Sequence, residues 1–482
     1  MRRRLLLLLL AAACAASCAR TTATTPPGTE AAPRLTATQE AQIGALADRD
    51  LRRDARLPEG GALEREAQQV GARLSDVFGA HAPTWRFAVL DFGAPNAFAL
   101  PGGYVYLTRG LFPYLSSRDD LAAVLAHEMA HVALGDAVAD YLAGSEPLPS
   151  DLGVFRPVAR LFGGRLSPAV APALFASHDA ERERAANALA ARALVAAGFD
   201  PAAINAVLDT LDRLDLDTDE VGVPTWGMTH NRGTRLDLSA LVPTLTAVSP
   251  AKSPPGGDDF LDHLRGLLFG DDPRMGLVRV NEFLMPSLRI ALTIPDEWDV
   301  SSDRTRMIAA SPDQDAFIVL QWVPQSRFRP APNTATALAM RAGFKQATGE
   351  TMTVNGLAAT AVTTTGTVEG LGEVRARVAC VQAPLGPFVV AGVASTAKYA
   401  EFQSQFGAAI KSVRVMTTAE AAGILPERIE IETAEPGDTW DRVARRHGGL
   451  VMGNLLAILN RGAADLAVPE GRRLKVVVAG EK

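Results

Sequence analysis

The stretch His127-Glu128-Met129-Ala130-His131 constrains this chain more than any other. It lies in the run 119–134, where Asp119 and Asp120 open a negatively charged first turn. Leu121, Val124, Leu125, Val132 and Leu134 follow at helical spacing. On a helix, residues four apart share a face, so His127 and His131 point the same way. Two imidazoles on one face offer a divalent metal two nitrogen ligands. Glu128, one residue round from His127, reaches a water beside the metal without ligating it. With seven histidines in 482 residues, the competing reading is a buried helix that happens to carry two of them. The rest of the chain decides between the two.

Composition narrows the class. A net charge of -6 without basic clusters argues against a nucleic-acid partner, and 48% hydrophobic residues describe a globular body. The cysteines are Cys14, Cys18 and Cys380; two of them stand near the N-terminus, so no disulfide framework is expected. Met1-Arg-Arg-Arg4, a leucine run at 5–10 and an alanine-rich stretch read as a secretory signal over 1–18. Ala15-Ala16-Ser17-Cys18 resembles a bacterial lipobox, with Cys18 favoured over Cys14 as the lipidated residue. The expectation is an exported chain, lipid-anchored in the cell envelope on the periplasmic face of the outer membrane, with the body of the protein free of the bilayer.

A polar, Pro-rich tether at 19–37 leads into a unit at 38–270. Within it, helical spacing at 38–77 precedes a strand at 85–90, a loop from Asn96 to Gly103, and a second strand at 104–108. After the His127 helix, 140–176 reads as irregular connection. Then an alanine-rich helix starts near Ser177, a cap candidate, and stops at Gly198 before Phe199-Asp200-Pro201. Residues 222–258 are dense in Pro and Gly and carry His230. From 275 to 418 the chain alternates Val, Thr and Ala, with helical stretches near 333–347 and 397–411. This predicts an α+β middle domain on an antiparallel sheet, with Cys380 as a core residue. The segment 426–480 reads strand, helix, helix, strand. The fold class expected is therefore multidomain α+β: a mainly helical first unit, a sheet-based middle domain and a small βααβ C-terminal domain.

Asn96-Ala-Phe-Ala-Leu-Pro-Gly-Gly-Tyr104 followed by Leu121-Ala-Ala-Val-Leu-Ala-His127-Glu-Met-Ala-His131 resembles the HtpX/BepA-like zinc metallopeptidases, relatives of the CAAX prenyl proteases. The resemblance runs from about 38 to 245. It implies a gluzincin: one zinc per chain, held by His127, His131 and a glutamate from the 177–198 helix, with Glu128 as the general base in peptide hydrolysis. The family pattern is Glu-x-x-Ala-Asp before Gly-aromatic-Asp-Pro. Counted back from Gly198, it falls on Glu183 with Asn187 in the Asp place; counted forward from Ser177 it falls on Glu181. The two differ by about 200° around a helix, so one alone faces the metal, and Glu183 is favoured. Asn187, placed behind a histidine ligand, supplies a hydrogen bond but no charge. Thr229-His230 resembles the family's Thr-His-Pro segment, which implies a place for His230 at the zinc as oxyanion stabiliser or gate. Gly103, Tyr104 and Val105 begin the strand expected to be the edge on which an extended substrate pairs.

The C-terminal segment, with Pro436-Gly-Asp-Thr-Trp440 and Pro469-x-Gly-x-x-Leu-Lys475, resembles a LysM module, which implies peptidoglycan as a partner; Trp440 is its one aromatic for sugar stacking. The function implied is an envelope endopeptidase acting on misassembled periplasmic or outer-membrane proteins. Two other readings compete with it. A chaperone or assembly factor with little turnover is kept open by Asn187, and a peptidoglycan hydrolase draws on the LysM-like segment without an identifiable carboxylate pair.

Overall fold

A computed structural model describes residues 35–54, 61–78, 83–143, 178–217, 234–236, 260–323, 334–368 and 371–480. The expected signal with Cys18, nearly all of the tether, His230 and most of 140–176 and 222–258 lie outside the described residues. The chain is mixed α/β with several antiparallel sheets. Among the described residues no single helix is long and apolar enough to cross a membrane.

Helices α1 (Ala37–Asp54) and α2 (Ala62–Phe78) precede a sheet of β1 (Arg86–Leu90), β2 (Ala97–Leu100) and β3 (Tyr104–Thr108), ordered β1-β3-β2. β3 runs parallel to β1 and antiparallel to β2. This corrects the expectation for Gly103, Tyr104 and Val105. Tyr104 is matched with Arg86 on one side and Leu100 on the other, and the Gly103 carbonyl accepts the Arg86 N–H at 2.8 Å. β3 is the central strand, and its backbone is committed on both sides. Alternation of apolar residues reports which face is buried, not which strands are neighbours.

A 3-10 helix at Arg109–Tyr114 leads into α3 (Arg118–Leu134). The start of α3 is fixed by a reciprocal cap: Ser117 Oγ accepts the Asp120 N–H at 3.2 Å, and the Asp120 carboxylate accepts the Ser117 N–H at 3.1 Å. Gly135 ends it in the left-handed region, φ 88, which releases the chain into α4 (Asp136–Ala143) at a bend of 65°. α3 is buried all round from Asp120 to His131. α5 (Ala180–Ala197) and α6 (Ala203–Asp217) pack on it. The cap of α5 is Asp179 rather than Ser177, its carboxylate accepting from Glu181 N–H at 2.9 Å and Arg182 N–H at 3.0 Å; Gly198 stops the helix as expected. Ala122, Ala126 and Ala130 of α3 and Ala186 and Ala190 of α5 lie in one core. Side chains this small let the two helices approach closely, and that brings the polar residues of both onto one spot.

Residues 277–415 form a four-stranded sheet, ordered β15 (Arg414–Val415), β7 (Ile290–Thr293), β6 (Glu282–Met285), β5 (Leu277–Arg279), beside a seven-stranded antiparallel sheet, ordered β11 (Glu350–Val354), β12 (Leu357–Val368), β13 (Gly372–Ala383), β14 (Gly386–Ser395), β10 (Ala316–Trp322), β9 (Arg306–Ala310), β8 (Asp299–Asp303). In β13 (Gly372–Ala383), Ala379 and Val381 enter one core while Val378 and Cys380 enter the other. Both faces of this strand are therefore covered, one by α8 (Tyr399–Ser412) and the other by α7 (Thr334–Arg341). Gly392, in β14 (Gly386–Ser395), is required by close approach, since a Cβ there would lie 2.1 Å from the Phe406 ring of α8.

The C-terminal segment pairs β16 (Glu427–Thr433) with β17 (Arg473–Ala479) around α9 (Trp440–Arg446) and α10 (Gly453–Leu459). Its third strand is β4 (Leu268–Phe269), contributed before the middle domain begins. The apolar core is continuous from Ala67 in α2 through α3 and α5 to Val477, so this segment packs on the first unit after the middle domain has been completed. Lys475 crosses the junction, 1% exposed, its Nζ donating to the carbonyls of Pro113 at 2.7 Å and Leu115 at 2.8 Å. Arg461 pairs with Asp120 at 2.9 Å in the first turn of α3. Trp440 is 2% exposed and its Nε1 donates to Ala463 O at 2.9 Å, so its ring offers no face on which a sugar can stack.

Candidate metal centre

His127 and His131 stand one turn apart on α3, and Glu183 and Asn187 stand one turn apart on α5. Where the helices meet, the Nε2 atoms of the two histidines approach to 3.0 Å. Glu183 closes the triangle, with Oε2 3.5 Å from His127 Nε2 and Oε1 3.5 Å from His131 Nε2. All three residues are at most 2% exposed, whereas Glu181 is exposed to solvent. Between the two glutamates left open by the sequence, Glu183 is the one that meets the histidines.

The outer atoms of the rings fix what the inner atoms can do. His127 Nδ1 is 2.9 Å from Asn187 Oδ1, and Asn187 Nδ2 donates to Thr234 O at 3.0 Å, which orients the amide with its oxygen toward the ring. His131 Nδ1 is 2.8 Å from Asp136 Oδ2. Both Nδ1 atoms therefore face acceptors and carry the protons, and the Nε2 lone pairs converge on each other and on a carboxylate. Such a set is repulsive without a cation among its members. Ligand atoms about 2.0–2.1 Å from a tetrahedral ion lie about 3.3 Å apart; the two Nε2 atoms stand 3.0 Å apart, and each has one Glu183 oxygen 3.5 Å away, Oε2 for His127 and Oε1 for His131. The residues fit zinc: two neutral imidazoles, one hard carboxylate, and an outer hydrogen bond behind each ring.

The electrostatics agree. Burial lowers the pKa of His131, but the hydrogen bonds to Asp136 and Glu183 and the charge of Glu128 outweigh it and raise it to about 9. The same negative groups that would hold a proton there favour a metal cation in its place. Burial raises the Asp136 carboxyl, yet the His131 hydrogen bond overrides it and holds the group below its ordinary range. Glu128 is 3% exposed, next to His127 on the helix and close enough for its charge to act on His131.

Three residues around the centre were not singled out from the sequence. Asp136 backs His131; His178 lies 3.2 Å from Glu183 Oε1 through Nδ1 and 2.9 Å from Asp140 Oδ2 through Nε2. The rings of His131 and His178 are 4.2 Å apart between centroids. The spacing of Asp136 and Asp140, one turn apart just past the His127 helix, is the sequence signal that could have marked them. Of the segment around His230, Thr234 is seated against Asn187, and Arg235 forms an exposed ion pair with Asp209.

Residues 62–237 match peptidase family M48. The mitochondrial metalloendopeptidase OMA1 of Schizosaccharomyces pombe is 46% identical over 59 residues, 12% of this chain and 18% of its own. The beta-barrel assembly-enhancing protease of Escherichia coli is 35% identical over 105 residues, 22% of each chain. The matches thus span about a fifth of these relatives' own length. A solved structure of LpqN, involved in cell envelope biogenesis of Mycobacterium tuberculosis, aligns with 27% of this chain and 83% of its own at 18% identity and a TM-score of 0.20. Residues 62–237 are thus similar to peptidase family M48, and the buried His127, His131 and Glu183 set lies within that span, with side chains suited to hold zinc.

Proposed function

We propose that the protein is a zinc-dependent endopeptidase of the bacterial cell envelope that hydrolyses peptide bonds in misassembled periplasmic or outer-membrane proteins. The observation that carries the reading is the convergence of His127 Nε2, His131 Nε2 and the Glu183 carboxylate at 3.0–3.5 Å, with Glu128 on the adjacent helical position. Zinc held there supplies Lewis acidity toward a peptide carbonyl and toward water. Glu128 takes the proton from the attacking water and returns it to the departing amine. Asn187 and Asp136 hold the two rings with their Nε2 atoms inward. The envelope setting and substrate class rest on the signal-like N-terminus and on what the relatives' names state of them.

The peptide is proposed to pair along β2 instead of β3. Among the described residues β2 pairs on one side only, and it packs against α3 and α4, next to the metal ligands. The non-catalytic alternative drew on Asn187 standing where the family has Asp. The Thr234 carbonyl 3.0 Å from Asn187 Nδ2 supplies a reason for the amide that does not involve loss of activity.

The test is cleavage of casein by the purified protein beside Glu128→Gln. The proposal expects turnover by the parent and a loss of about 10²–10⁴-fold in the variant with zinc content unchanged. Equal turnover in both proteins would remove Glu128 from the chemistry.

A further inference from the structure

α4 leaves α3 at Gly135 and carries two carboxylates on one face, one turn apart. Each is directed at the metal centre by a different route. Asp136 bonds the His131 ring directly, at 2.8 Å. Asp140 bonds His178 Nε2 at 2.9 Å, and the far side of that ring, Nδ1, lies 3.2 Å from Glu183 Oε1. Both of these contacts of His178 are to carboxylate oxygens, so the ring bridges α4 to α5. The His178 side chain is 9% exposed, that of Asp140 15% and that of Glu183 fully buried. Arg182, 3.8 Å from Asp136 and 3.7 Å from Asp140, steadies the carboxylate pair from α5.

We propose that His178, clamped by Asp140, is a positioning residue for the third zinc ligand: it takes one oxygen of Glu183 and thereby fixes the carboxylate plane and the oxygen offered to the metal. This deepens the zinc-site reading of the preceding section and rests on it. A glutamate has three rotatable side-chain bonds, and Glu183 stands in the first turn of α5, only four positions from its Asp179 cap. Without the bridge, the carboxylate rotates or turns both oxygens to the metal, which closes the position that a water must occupy. With Asp136 on His131, Asn187 on His127 and His178 on Glu183, each of the three ligands has an outer partner, and two of those partners are anchored by α4.

The experiment measures zinc affinity of the metal-stripped protein by competition with a chromophoric chelator, and records the visible spectrum of the cobalt(II)-substituted form. The proteins compared are the parent, His178→Ala, His178→Gln and Asp140→Asn. His178→Ala is expected to weaken zinc binding by about 10–100-fold and to change the cobalt band positions and intensities, which report ligand geometry. His178→Gln, which keeps a donor, recovers part of both effects. Asp140→Asn, which leaves the packing nearly unchanged, produces the same spectral change in smaller degree and guards against a folding defect in His178→Ala. A parent that binds one zinc, with His178→Ala and Asp140→Asn matching its affinity within about threefold and showing its cobalt spectrum, overturns the role of His178 while leaving the zinc site intact. A parent that binds no zinc overturns both.

Discussion

Asn187 is the residue whose replacement separates metal binding from folding. It is 1% exposed and makes two bonds, accepting from His127 Nδ1 at 2.9 Å and donating to Thr234 O at 3.0 Å. Asn187→Ala removes both. Each buried hydrogen bond lost costs about 1–3 kcal/mol, so the zinc-free protein is expected to lose about 2–6 kcal/mol of unfolding free energy. The loss of the bond behind His127 weakens zinc affinity by about 10–100-fold. Asn187→Asp behaves differently. One carboxylate oxygen keeps the His127 bond and strengthens it with charge, so zinc binds as well as in the parent or better. The other oxygen faces the Thr234 carbonyl, an acceptor against an acceptor, and the zinc-free protein loses about 1–3 kcal/mol. The assay is chemical denaturation of the zinc-free proteins beside chelator competition for zinc. The account requires the two observables to move together in Asn187→Ala and apart in Asn187→Asp. A tenfold loss of zinc affinity in Asn187→Asp, or none in Asn187→Ala, would refute the reasoning about the outer partner of His127.

Further outcomes follow from other parts of the structure. Glu181→Ala, at an exposed position two residues from Glu183, is expected to leave zinc content and casein turnover within about twofold of the parent; a loss like that of Glu183→Ala would exchange their roles. Burial lowers the pKa of Lys475 from 10.5 to about 7, against the opposing charge of Asp120. Between those values the unfolded chain binds more protons than the folded one, so stability rises with pH through that window, by at most about 5 kcal/mol, and the penalty is complete below about pH 7. Comparing denaturation of the parent and Lys475→Met from pH 6.5 to 10 isolates this slope, and parallel curves would contradict it. Gly392→Ala is expected to destabilise the middle domain by displacing Phe406, seen as an earlier thermal transition with zinc affinity unchanged.

The sequence carried the local features of the site and lost the distant ones. The helix with His127 and His131 was legible because periodicity and charged first turn agree there, whereas Glu183 was favoured over Glu181 only through the resemblance, whose pattern counted back from Gly198 falls on Glu183 and Asn187. His178 read as a residue beside a helix cap, since its partners Asp140 and Glu183 are brought to it by the bend at Gly135 and by helix packing. Tyr104 read as an edge because strand order is a long-range property that alternation does not encode. Trp440 read as an aromatic available for sugar stacking on a small separate module, yet it is buried. Nothing local announces that β4, contributed at 268–269, joins the C-terminal sheet, or that Lys475 Nζ ends on the carbonyls before α3.

The central claim is that His127, His131 and Glu183 form one metal centre. Zinc per chain, determined by elemental analysis after equilibration with a stoichiometric supply and removal of loosely held metal, tests it most directly in the parent, Glu128→Gln and Glu183→Ala. The account predicts about one zinc in the first two and little in the third. Full zinc occupancy in Glu183→Ala, or none in the parent, would contradict it.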